Sequence, residues 1–177
     1  MTKTEQQAYA EHRYLLIPRL MPPAMANVMA AAHPDDGNWR PYTGHDARDA
    51  ATEAREFLHA MGGRVLQIVG AKGEYDLNCW VNRYRVGQYI FRHNDRARNE
   101  ESPAVAILNV CLAAPSAENG GELVLALEDG EVRHHLRAGD ALLFDGASIE
   151  HWTTPLVATT AEPEPLRMMA VGRYYLR

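Results

Sequence analysis

His93 and Asp95 stand two residues apart at the end of the apolar stretch YIFRHND, and in an extended strand residues i and i+2 point to the same face. One imidazole and one carboxylate therefore converge on a common point. His151, at the start of the later stretch HWTTPLV, offers a third donor. Two histidines and one carboxylate on one side of a metal form the facial triad of non-haem Fe(II) oxygenases, which leaves positions open for further ligands. Spacing alone does not decide the matter. Eight histidines and nine aspartates will produce a His-x-Asp by accident, and a charged strand end is the competing reading.

A second such pair, His33-Pro34-Asp35, is followed by Asp36-Gly37. The proline and the glycine place it in a turn after a helix, where its side chains share no strand face, so a structural role is expected. His134 and His135 are neighbours on one strand, with rings on opposite faces. They cannot chelate one metal together and are expected at the surface. Asn109 shares a face with Ile107 and Cys111 and should look into the interior, where an amide needs a partner. Substrate, co-substrate or a structural hydrogen bond would each serve. Trp80 and Trp152 are expected to pack, and Trp152, beside a candidate ligand, is also placed to line a pocket.

The elements that must position these residues are mostly short strands. Tyr14 to Ile17 reads as a strand. Pro22 and Pro23 then open a helix through AMANVMAAA, since proline is tolerated in a first turn. A second helix is predicted from about Ala47 to Met61, stopped by Gly62-Gly63. From Arg64 onward come RVLQIVG, CWVNRYRV, YIFRHND, VAILNVCLA, ELVLALE, EVRHHLR, ALLFD, HWTTPLV and LRMMAVGRYYL, separated by turns such as AENGGE, EDGE and RAGD. So many short strands exclude a βαβ design. The prediction is a mainly β double-stranded β-helix, or jelly roll, with N-terminal helices packed on it. RARNEES, 96–102, reads as a charged surface loop.

At 177 residues the chain suits one domain, with a helical lead-in over about 1–63 and a jelly-roll core over about 64–177. The formal charge of -5 gives no basic face for nucleic acid, and none is expected as partner. No apolar run has signal-peptide or membrane-spanning length, so a cytoplasmic protein away from membranes is expected. Cys79 and Cys111 lack CxxC spacing and are read as reduced packing residues.

The stretch from Tyr84 to Asp95, YRVGQYIFRHND, resembles the Y-x-x-G-x-x-x-x-x-H-x-D opening of prolyl-4-hydroxylase-type 2-oxoglutarate/Fe(II) dioxygenases. In family order follow Gly120-Gly121-Glu122-Leu123, similar to its GGEL turn, Ala138 to Phe144, similar to its AGDxLLF strand, His151 to Leu156, similar to HxxxPV, and Arg167, matching the arginine that begins its last strand. The resemblance runs from about Trp80 to Leu176. It implies that His93, Asp95 and His151 bind Fe(II) and that Arg167 pairs with the distal carboxylate of 2-oxoglutarate, consistent with the bidentate fit of guanidinium to carboxylate. It further implies O2 as oxidant and release of succinate and CO2. ATTAEPEPL, between His151 and Arg167, reads as an insertion relative to the family. Arg173 lies on the same strand face as Arg167 and is the alternative anchor. Cys111 stands where relatives often carry a tyrosine that assists the arginine, a role Tyr84 would fill here.

The function expected is hydroxylation of an unactivated C-H bond in a small molecule or amino-acid-like substrate, with Asn109 and Trp152 on the substrate side. Desaturation or epoxidation would use the same ligands. The competing expectation is a cupin-like isomerase or dioxygenase that does not use 2-oxoglutarate. Substrate identity and oligomeric state carry no signal in the sequence.

Overall fold

The structure is a computed structural model that describes residues 4–96 and 105–177. Its elements are, in order, α1 (Glu5–His12), β1 (Tyr14–Ile17), α2 (Pro23–Ala31), β2 (Arg40–Tyr42), β3 (His45–Asp49), α3 (Thr52–Val69), β4 (Tyr75–Tyr84), β5 (Ile90–His93), β6 (Ala106–Ala113), β7 (Leu123–Leu127), β8 (Gly130–His134), β9 (Ala141–Phe144), β10 (Glu150–Thr153) and β11 (Arg167–Leu176). The charged loop expected over 96–102 lies, from residue 97 on, outside the described residues. No helix among the described residues is long and apolar enough to cross a membrane.

The strands form two antiparallel sheets. One has seven strands in the order β1-β9-β6-β11-β4-β3-β2 and the other four in the order β5-β10-β7-β8. Alternation along the central strands divides the interior into two cores. On β6, Ala106, Leu108, Val110 and Leu112 face the helices, while Ile107 and Cys111 face the small sheet. On β11, Met168 and Ala170 face the helices, while Met169 and Val171 face inward. Strands covered on both faces read as unbroken apolar runs, which is why VAILNVCLA and LRMMAVGRYYL are recognisable in the sequence. This is the predicted jelly roll with helices packed on one sheet.

The N-terminal part departs from expectation. The helix predicted over 47–61 begins only at Thr52, since 47–49 belong to β3, and it is continuous with the strand predicted over 64–70 in one helix, α3, which runs through Gly62-Gly63 and stops at Gly70 in a left-handed conformation, φ 74°. Ala54, Leu58, Val65, Leu66 and Ile68 carry one buried stripe across the break. Gly62 is buried where a Cβ would overlap the ring of Tyr75, so its glycine answers to packing and not to helix termination. The β2–β3 hairpin was also not predicted; it pairs on β4 as the end of the large sheet. The third unpredicted element, α1, is defined by a capping box of Thr4 and Gln7 rather than by an apolar stripe.

Candidate active site

β5 and β10 are hydrogen-bonded neighbours, and His93 lies directly opposite His151 in the register. That pairing brings the two rings to 4.4 Å between centroids. Asp95 follows the end of β5 and is pinned by its backbone N–H, which donates to the carbonyl of Gly146 at 2.8 Å. Gly146 belongs to the turn between β9 and β10. Asp145 organises that turn by accepting from the backbone N–H of Ser148 at 3.1 Å and by an ion pair with Arg13. A Cβ at Gly146 would stand 2.7 Å from Asp95 Oδ2, so glycine is needed for the carboxylate to sit there.

The result is one ligand atom from each of His93, Asp95 and His151, all within 4.8 Å of one another. His151 Nε2 lies 3.4 Å from Asp95 Oδ2, and His93 Nε2 lies 3.8 Å from Asp95 Oδ1. Each ring is oriented from behind. His93 Nδ1 is 2.8 Å from the Phe91 carbonyl, and His151 Nδ1 is 3.0 Å from the Ile149 carbonyl. With Nδ1–H donating to those carbonyls, both Nε2 lone pairs point at the shared space, as metal-binding histidines require. Burial, and then the neighbouring His151, hold His93 below its usual 6.5. Burial pushes the Asp95 carboxyl up, but its close neighbours His151, Arg173 and His93 outweigh it and leave the group below its usual value. A neutral imidazole beside an ionised carboxylate is the ligand state that a divalent cation needs.

These groups line a cavity of about 550 Å³ between the sheets. Its other end is built by β4 and β11, whose register pairs Tyr84 with Arg167. Arg167 is 3% exposed, and its guanidinium lies 4.9 Å above the Tyr84 ring. No carboxylate among the described residues forms an ion pair with it. A buried guanidinium without a counter-charge is costly, and a dicarboxylate in the cavity would supply one. The Gly120-Gly121 turn makes room for this arginine, since a Cβ at Gly121 would stand 3.2 Å from Arg167 Cδ. Tyr84 is fully enclosed, and its hydroxyl receives the Asn82 amide at 3.5 Å. Burial pushes its pKa up, against the opposing charge of Arg167 and its hydrogen bonds with Thr153, Asn82 and Arg167. Cys111 lies near Arg167, and burial pushes its thiol up to about 11.

Asn109 and Trp152 line the cavity as expected, and Asn109 Oδ1 has no hydrogen-bond partner among the described residues. Trp80 also lines it and donates through Nε1 to Asn82 Oδ1 at 2.8 Å. Arg173 reaches Asp95, with Nη2 2.6 Å from Oδ1. His33 is buried away from the site; its Nδ1 lies 2.7 Å from the Met29 carbonyl, and its Nε2 accepts from the backbone N–H of Ala51 at 2.9 Å. The expectation that His134 and His135 lie at the surface is corrected. Both are partly buried, His134 against the Tyr14 ring and His135 through Nε2 on the Pro115 carbonyl.

Sequence reasoning missed the residues brought by β2 and β3. Tyr42, Thr43 and His45 line the cavity, with the buried His45 ring stacked on Tyr84 at 5.1 Å. The signal was present in Thr43-Gly44, a two-residue loop with Gly44 at φ 86°.

A jelly roll with two histidines and a carboxylate at one end of its cavity and a buried arginine at the other has the donor set of a non-haem iron enzyme with a carboxylate co-substrate. The family comparison agrees: residues 79–172 match the model of the 2OG-Fe(II) oxygenase superfamily, and the chain belongs to that superfamily. It is a 2-oxoglutarate-dependent dioxygenase, using Fe(II), 2-oxoglutarate and O2. This decides against the cupin-like alternative. No curated sequence matches the chain significantly. Among solved structures, a Pseudomonas putida prolyl-4-hydroxylase has a TM-score of 0.80 at 20% identity, covering 97% of each chain. HygX from Streptomyces hygroscopicus, solved with nickel and 2-oxoglutarate bound, has a TM-score of 0.74 at 13% identity, covering 99% of this chain and 87% of its own. The carbocyclase SnoK from nogalamycin biosynthesis has a TM-score of 0.78 at 14% identity, covering 99% of this chain and 84% of its own.

Proposed function

We propose that His93, Asp95 and His151 hold Fe(II), that Arg167 with Tyr84 anchors the distal carboxylate of 2-oxoglutarate, and that the protein hydroxylates a C-H bond of a small molecule or amino-acid-like substrate. The observation that carries this reading is the placement of three metal-ready ligand atoms and one buried guanidinium with no carboxylate partner among the described residues in the same cavity. Bound there, iron supplies oxygen activation coupled to conversion of 2-oxoglutarate to succinate and CO2. The chain's own residues position and enclose. Arg167 neutralises one end of the co-substrate in a site closed by Tyr84, Leu156 and Met169. The wall above the metal ligands, formed by Asn109, Trp152 and the β2–β3 hairpin, faces the substrate. The hairpin is fixed to the loop before β5, since the Tyr89 N–H donates to the Gly44 carbonyl at 2.9 Å.

The solved structures similar to this one include prolyl hydroxylases as well as a carbocyclase. The small-molecule reading is tested by screening free amino acids, other small metabolites and proline-containing peptides for stimulated succinate formation. Turnover of a small molecule supports it, and stimulation by peptides alone would overturn it.

A further inference from the structure

We propose that Arg173 is a positioning residue for the metal site: its guanidinium holds Oδ1 of Asp95 and thereby leaves Oδ2 as the oxygen presented toward the metal. The inference rests on the assignment of Asp95 as a metal ligand. Asp95 lies beyond the last residue of β5, so no strand pairing orients its side chain. Its backbone is held by Gly146 at 2.8 Å, but that contact leaves both side-chain torsions free. A carboxylate so placed can offer either oxygen or both, and the choice changes how many coordination positions remain open.

One contact distinguishes the two oxygens. Each faces a histidine, Oδ1 at 3.8 Å from His93 Nε2 and Oδ2 at 3.4 Å from His151 Nε2, but only Oδ1 is held by Arg173, with Nη2 at 2.6 Å. The two side chains are only 18% and 12% exposed, so this is not a screened surface pair. Arg173 is itself fixed. It lies on β11 opposite Asn78 of β4 and Ile107 of β6, and its guanidinium rests 5.3 Å from the centre of the Trp80 ring. A side chain from a central strand of the large sheet thus orients a ligand that belongs to no strand. This also explains how two arginines on one face of β11 can serve one site without competing, Arg167 at the co-substrate end and Arg173 behind the metal ligand.

Arg173 can also affect the metal by charge alone, and the two effects have opposite signs. A nearby cation repels a divalent metal, so a purely electrostatic Arg173 would weaken metal binding, and its removal would tighten it. A positioning Arg173 would strengthen binding. Partners that orient a metal ligand from behind are typically worth about 10- to 100-fold in affinity.

The test is anaerobic titration of Co(II) into the apo full-length chain, following the visible ligand-field bands, for the wild type, Arg173→Met, Arg173→Lys and His93→Ala. The proposal expects Arg173→Met to raise the Co(II) dissociation constant by about 10- to 100-fold and to change the band shape, with Arg173→Lys recovering part of the affinity. Thermal melts of the apo forms check folding; if Arg173→Met does not fold, Arg173→Lys decides on the same readouts. Unchanged or tighter Co(II) binding, or an unaltered spectrum in both arginine variants, would overturn it. Co(II) binding undiminished in His93→Ala would instead remove the metal assignment, and this proposal with it.

Discussion

The four-stranded sheet and the segment leaving it contribute His93, Asp95 and His151, the two histidines from strands of only four residues, whereas the seven-stranded sheet contributes Arg167 and Arg173 from a single strand of ten. β5 is an edge strand with Phe91 52% exposed. β11 is paired on both sides, and its first six residues are all buried. His93 therefore stands on a sheet edge, and Arg167 begins a strand paired on both sides and buried through its first six residues. His93, Asp95 and His151 depend on local devices for their geometry: backbone carbonyls behind two rings, a turn glycine beside Asp95 and Arg173 on its Oδ1. Arg167 depends on the sheet itself.

Breaking the metal end should have the largest effect. His93→Ala or His151→Ala should abolish stoichiometric Fe(II) or Co(II) binding, read by metal analysis, while the apo forms still melt cooperatively; retention of metal in either would move the site.

Breaking the other end should cost the co-substrate and not the metal. Arg167→Met removes one member of a buried charge pair, which typically costs about 2 to 5 kcal/mol, so 2-oxoglutarate binding should weaken about 30-fold or more with metal content unchanged. Equal losses in metal and 2-oxoglutarate would contradict the division between the sheets.

Outside both regions, substitutions should affect stability alone. Gly62→Ala gains helix propensity of about 0.5 to 1 kcal/mol, but its methyl meets the Tyr75 ring, and overpacking of this kind typically costs about 1 to 3 kcal/mol. The net expectation is a lower midpoint in chemical denaturation with metal binding intact; a stabilised variant would show that Tyr75 can move aside.

The smallest effect concerns pH. Burial holds His33 and His45 below their usual 6.5, so on acidification the unfolded chain takes up protons that the folded one resists, and stability falls as the pH drops below about 6.5. Protonating His33 would also break its acceptance of the Ala51 N–H. His33→Ala should lower the melting temperature at pH 7 yet show a smaller further drop between pH 7 and 5 than the wild type. An identical drop would remove His33 from the account.

The same contrast explains what the sequence revealed. The cluster of His93, Asp95 and His151 was legible because a His-x-Asp needs only the two-residue period of a strand, and the ordered motifs around it pointed to His151. The jelly roll was legible because strands buried on both faces give plain apolar runs. The resemblance assigned the co-substrate to Arg167, but the contact that Arg173 makes was not legible. Alternation puts both on one face, and only the three-dimensional approach of β11 to the segment after β5 shows that Arg173 meets Asp95. The hairpin carrying His45 escaped because RPYTGHDARD has no apolar alternation: it extends the edge of a sheet without adding much core. α3 was cut short because Gly62 looks like a helix end until the Tyr75 ring above it is seen.

The central claim, that one cavity binds Fe(II) at His93, Asp95 and His151 and 2-oxoglutarate at Arg167, is tested most directly by anaerobic titration of 2-oxoglutarate into the Fe(II)-loaded protein, following the metal-to-ligand charge-transfer band. The account predicts a band saturating at one 2-oxoglutarate per chain in the wild type, a band of similar shape but much weaker affinity in Arg167→Met, and no band in His151→Ala. A wild-type protein that binds Fe(II) without developing the band, or an Arg167→Met variant with unaltered affinity, would contradict it.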